Sequence, residues 1–223
     1  MDQFALVGPH VAAGGLALAA FWATLLSRKG SGTHRWRGRV YLLLLVPLVA
    51  SVVPIVAREG ADPARLAQLA YLALVVATAG WTAWRAVRDR ADPARFRGPV
   101  FRALAAAMAA AGSALMLRAL VAGDALALGF SAIGVVYGGA MLGFLGREAE
   151  PGWWLRWHLN GVALLFAATH ASFVGLLART LWPGLSGEPM HALTQIGTIA
   201  FAYGFRQWLG VRYDGFPARP RMA

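Results

Sequence analysis

Long apolar runs alternate with short polar or basic stretches along the whole of this chain. A helix that crosses the hydrocarbon core of a bilayer needs about 20 apolar residues. Runs of that order lie at 4–26, 40–57, 66–84, 100–121, 125–145, 157–181 and 190–209, the second somewhat short. The fourth and fifth are separated only by Ala122-Gly123-Asp124. Merged, they would far exceed one crossing, so the break predicts a tight helical hairpin. The fold class predicted is all-α: a polytopic membrane bundle of seven transmembrane helices over residues 1–211. Residues 212–223, with Asp214-Gly215 and two prolines, read as a disordered cytoplasmic tail.

The polar stretches orient the bundle. Arg28, Lys29, Arg35, Arg37 and Arg39 fall between the first two runs, and Arg85, Arg88, Arg90, Arg95, Arg97 and Arg102 between the third and fourth. Arg147 and Arg156 precede the sixth, and Arg206, Arg212, Arg219 and Arg221 accompany or follow the end of the seventh. The opposite side carries only Arg58, Arg65, Arg118 and Arg179. The positive-inside rule places the basic side in the cytoplasm, giving an outside N-terminus and an inside C-terminus, which an odd number of spans satisfies. Trp36, Trp81, Trp84, Trp153, Trp154, Trp157 and Trp208 lie at the same side, at the depth where amphipathic rings anchor helices.

Composition narrows the function classes. With 58% hydrophobic and 14% charged residues, the chain is too apolar for an ordinary soluble domain. The net charge of +11 is distributed between apolar runs, a record of topology that points away from nucleic acid as a partner. The absence of cysteine removes disulfides and thiolate metal sites. No basic region precedes the first apolar run, so it should remain as a helix and not be cleaved as a signal peptide. The location implied is a membrane bordering the cytoplasm, with the bilayer itself and anionic headgroups at the cytoplasmic loops as partners.

Small and special residues add local expectations. Gly134, Gly138, Gly139 and Gly143 form two Gly-x-x-x-Gly pairs, which predict close packing inside the bundle, with homodimerisation as the other use of such a face. Pro47 and Pro54 should kink the second span. Asp62-Pro63 and Asp92-Pro93 both read as helix starts, the second opening a short interfacial helix that Gly98-Pro99 breaks.

All ten acidic residues fall outside the predicted spans. That argues against proton- or sodium-coupled transport and against paired-carboxylate chemistry at depth. Histidine remains. His10, His170 and His191 are predicted at similar depth near the outer face, and Gln195 and Thr198 follow His191 at helical spacing as a polar, cavity-lining stripe. His158 with Asn160 opens the sixth span on the cytoplasmic side, and His34 lies in the cytoplasmic loop. Neutral imidazoles suit a b-type haem or a metal ion where cysteine and carboxylate are absent. Intramembrane histidines equally hydrogen-bond between helices or line cavities. His158 and His170 are twelve residues apart, roughly 120° around a helix.

The stretch His34-Arg35-Trp36-Arg37-Gly38-Arg39-Val40-Tyr41, preceded by Lys29-Gly30 and by His10 in the first helix, resembles the His-Arg-x-x-Gly-x-x-Tyr signature of a bacterial family of predicted multi-pass membrane proteins of unknown function. The match covers about the first 40 residues. It brings no mechanism, but it marks His10, His34, Arg35, Gly38 and Tyr41. Locally, Arg35, Arg37 and Arg39 would face headgroups or another subunit's acids, Gly38 would turn the chain into the second helix, and Tyr41 would anchor that helix at the interface.

Two functions follow from the sequence. One is a redox or redox-assembly protein in which His10, His170 and His191 ligate a haem or metal on the outer side and His34 with His158 on the inner. The other is a non-catalytic membrane subunit or small-solute carrier whose histidines only bridge helices or line a cavity.

Overall fold

The structure, a computed structural model, describes residues 3–59, 63–185 and 187–214. Among these residues there is no strand. The helices are α1 (Gln3–Leu25), α2 (Gly32–Ala50), α3 (Val52–Glu59), α4 (Pro63–Arg88), α5 (Pro93–Phe96), α6 (Pro99–Ala122), α7 (Ala125–Leu145), α8 (Trp153–Leu181) and α9 (Glu188–Asp214), with a single 3₁₀ turn at Pro183–Leu185. Among the described residues six helical segments are long and apolar enough to cross a membrane: Val7–Leu25, Gly32–Ala57, Pro63–Arg88, Pro99–Ala122, Ala125–Leu145 and Trp153–Leu181. The chain is a multi-pass helical membrane protein. The tail predicted to be disordered lies outside the described residues beyond 214, as does Asp62.

The chain forms two compact units, Met1–Ala73 and Leu74–Ala223. In the first, α1 and α2 form an antiparallel hairpin. α2 begins at Gly32, well before the predicted start at 40, because Gly30 takes a left-handed backbone (φ 75°) and Ser31 caps the helix, its Oγ accepting from His34 N at 3.1 Å. His34 and Gly38 are therefore inside a helix, not in a loop or a turn.

In the second span, where a kink is expected, the helical hydrogen-bond pattern is interrupted at Ser51, whose own backbone stays right-handed helical (φ −67°, ψ −15°). The interruption falls where a proline can be accommodated: Pro54 becomes the third residue of α3, where the first-turn N–H groups have no intrahelical acceptor in any case. Ser51 closes the end of α2 through N–H to Pro47 O and Oγ–H to Leu48 O, both short bonds.

In the second unit α6 and α7 make the tight hairpin. Gly123 is left-handed (φ 68°), its N–H reaches Leu120 O, Asp124 N reaches Ala119 O at 3.0 Å, and the Asp124 carboxylate caps α7 at Ala127 N. Close approach then rests on glycine. A Cβ on Gly138 would sit 2.5 Å from Ala109 N, and one on Gly112 2.7 Å from Val135 N. Of the two Gly-x-x-x-Gly pairs, Gly134 and Gly138 are buried, whereas Gly139 and Gly143 have open space around them. α8 is similarly close to the second-unit part of α4, since a Cβ on Gly161 would stand 2.6 Å from Ala79 O.

Candidate functional site

The last four carbonyls of a helix have no intrahelical donor and must find one elsewhere. At the end of α1 the turn and the start of α2 supply them. Leu26 N bonds Trp22 O at 2.9 Å. Ala23 O accepts from Ser27 Oγ at 2.6 Å and from Arg37 Nη1 at 3.1 Å. Thr24 O accepts from Ser27 N and from His34 Nδ1 at 3.0 Å, and Leu25 O accepts from Lys29 Nζ. Arg37 Nη1 also bonds Ser27 Oγ at 2.9 Å. Gly38 lies against Thr24, and buried Tyr41 meets Phe21 edge-on with centroids 5.4 Å apart. His34, Arg37, Gly38 and Tyr41 share one helical face through their spacing of three and four. The signature stretch thus forms a clamp that closes α1 onto α2. Arg35 lies about 100° round the helix from that face, exposed, with Nη1 on Gly30 O at 3.0 Å. Partial desolvation at the turn holds the Lys29 ammonium below the ordinary lysine pKa.

Three of the other four histidines are also engaged. His10 Nδ1 lies 2.9 Å from Ser51 Oγ at the break between α2 and α3. His158 Nδ1 reaches Ala83 O of α4 at 2.7 Å. His170, buried in α8, bonds Phe166 O at 2.9 Å and stacks on the Phe166 ring at 3.8 Å. His191 is exposed.

The partners fix the tautomers. A carbonyl only accepts, so His34, His158 and His170 carry their proton on Nδ1. The Ser51 hydroxyl already donates to Leu48 O, so His10 must donate to it, again from Nδ1. In all four rings, in the neutral form, the lone pair sits on Nε2.

Within each unit the helix-bonded histidines stand apart. His34 bonds at the level of Thr24, fourteen residues along α1 from His10, or about 21 Å at 1.5 Å per residue. His158 and His170 are separated by about 18 Å along α8. Among the described residues no three His, Asp or Glu side chains gather as a metal-binding group.

The polar stripe of α9 divides. Gln195 and Thr198 are buried, Gln195 Nε2 donating to Ala171 O of α8 at 3.2 Å and Thr198 Oγ1 to Thr194 O at 2.6 Å, while His191 is turned away. Asn160 Oδ1 accepts from Arg206 Nε at 2.7 Å, which satisfies a cation within α9. α9 therefore turns polar side chains inward and exposes Leu193, Phe201, Tyr203 and Val211.

Sequence reasoning missed a second centre, at the end of α4. Asp89, only 3% exposed, pairs with Arg85 at 2.5 Å and faces Arg95 at 3.6 Å. Beside it the fully buried Phe96 of α5 contacts Trp81, Phe101, Phe144, Trp153 and Trp157. The Arg97 guanidinium lies 4.0 Å above the Phe144 ring. The rings that read as interfacial anchors thus split: Trp153 and Trp157 are buried, whereas Trp36, Trp84 and Trp208 are exposed. The aromatic residues crowding both ends of 81–101 and 144–157 were the available signal. Nearby, the Tyr137 and Thr82 hydroxyls share a 2.7 Å hydrogen bond between α7 and α4.

No family model, no curated protein and no solved structure matches this chain.

Proposed function

We propose that the chain is a seven-span protein of the bacterial cytoplasmic membrane, N-terminus outside and C-terminus inside, and that it is non-catalytic: a membrane subunit or small-solute carrier in which His10, His34 and His158 bridge helices. α9 is the seventh span in this reading. Its buried polar stripe and exposed apolar face are the pattern of a helix surrounded by lipid. The signature resemblance belongs to the same reading, with the motif acting as the clamp on α1.

One observation carries the non-catalytic role. The Nδ1 protons of His10, His34 and His158 are each committed to an acceptor on another helix or at a helix break. Melting of detergent-purified variants tests it. His34→Ala and His158→Ala should each lower the midpoint, while exposed His191→Ala should leave it unchanged.

A second reading, ligation of b-type haem or a metal ion, is favoured by the tautomers. An Nδ1–H held by a carbonyl is the usual orienting bond of a ligating imidazole and leaves Nε2 as the donor atom. A visible absorption spectrum separates the two. A Soret band or a bound metal lost in a single histidine variant would replace the first reading with the second; a colourless, metal-free protein that melts as predicted retains the first.

A further inference from the structure

The clamp leaves a second set of cations on the outside of the hairpin. Between Leu26 and Tyr41 the chain has Arg28, Lys29, Arg35, Arg37 and Arg39 and no acidic residue. Arg37 and Lys29 serve the α1 carbonyls, but Arg28, Arg35 and Arg39 are exposed, and among the described residues no carboxylate pairs with them. Arg35 and Arg39 are one turn apart on α2, with exposed Trp36 beside them. The same face continues to Leu43 and Val46, which are 70% and 65% exposed. Arg39 to Val46 spans about 10 Å of helix. One face of α2 therefore presents, in order, a guanidinium group, an amphipathic ring, a second guanidinium group and an apolar strip.

We infer that this face of α2 is a binding site for one anionic phospholipid. Its phosphate would lie at Arg35 and Arg39, Arg28 would add charge from the turn, and an acyl chain would run along Leu43 and Val46. Guanidinium groups match a phosphodiester in charge and geometry, and juxtamembrane basic residues each contribute on the order of tenfold or less to affinity for anionic lipid. The strip argues for a lipid over a free phosphate, which would use the cations alone. The site rests on the membrane reading above.

Native mass spectrometry of the full chain in mild detergent tests the site, with phosphatidylglycerol, phosphatidylcholine of the same chains, and inorganic phosphate as probes. Phosphatidylglycerol should be retained where phosphatidylcholine is not. R35Q/R39Q should weaken that retention roughly 10- to 30-fold, R35K/R39K should largely preserve it, and R88Q/R90Q should not change it. R39Q alone, which removes no protein hydrogen bond seen among the described residues, should weaken it in part. Equal retention of the two lipids, an unchanged R35Q/R39Q, or displacement of phosphatidylglycerol by inorganic phosphate at equal concentration would overturn the site. Alkaline carbonate extraction keeps the readings separate. A chain that stays in the membrane fraction but shows no lipid preference loses only the headgroup site, whereas one that is released loses the membrane reading.

Discussion

The α1–α2 turn and the loop from Arg85 to Arg102 are similarly rich in cations, yet each uses its cations differently. In the turn, Arg37 and Lys29 donate to backbone carbonyls left over at the end of α1, and no acid takes part. In the loop, Asp89 is buried between Arg85 and Arg95, and Arg88 and Arg97 lie over Trp84 and Phe144. The first arrangement satisfies a helix terminus; the second assembles a small core of rings around Phe96. Charge bias treats the two alike, because it counts residues and not acceptors. What a cation contributes depends on what receives its N–H groups.

Substitutions can break this contrast or sharpen it. The largest effect belongs to the loop: Phe96→Ala, removing a fully buried ring with five aromatic neighbours, should cost roughly 3–5 kcal/mol, read as a fall in the chemical or thermal midpoint. Asp89→Asn should cost about 2–3 kcal/mol, at or just below the roughly 3–5 kcal/mol for breaking a fully buried pair from one side, because Arg85 retains some solvent. In the turn, Arg37→Ala should cost about 1–2 kcal/mol through loss of charge-assisted bonds to Ala23 O and Ser27 Oγ. Arg39→Gln, two residues on and exposed, should stay within about 0.5 kcal/mol. If Arg37 and Arg39 variants melt alike, the clamp is not what holds the hairpin.

Much of the helical layout was legible because a bilayer imposes a length and an apolarity that hydropathy reads directly. The α6–α7 hairpin was legible as well, since Gly123 and Asp124 carry the chemistry of a helix end and a helix start. Helix extents were less so. Ser31 is a good N-cap, but it precedes a polar, basic turn, and apolarity alone starts the second span eight residues late. Of the candidate residues, helical spacing set Gln195 and Thr198 on one stripe, and both are buried, yet it could not say that His191, on the same stripe, would be exposed. The partner of His158 is a backbone carbonyl 75 residues away, and carbonyls leave no signature in a sequence. Asp89 was counted with the loop acids because nothing local distinguishes a buried carboxylate from a solvated one.

The bridging role of the histidines turns on where the imidazole protons are. ¹⁵N NMR of histidine-labelled protein in lipid, above the pH at which the rings are neutral and assigned with single-histidine variants, reads this directly. The prediction is protonated Nδ1 and an unprotonated Nε2 at His10, His34 and His158, as donation to Ser51 Oγ, Thr24 O and Ala83 O requires. A proton on Nε2 with bare Nδ1 at His34 or His158 would contradict it, because a bare nitrogen cannot bond a carbonyl and the helices would not be bridged there.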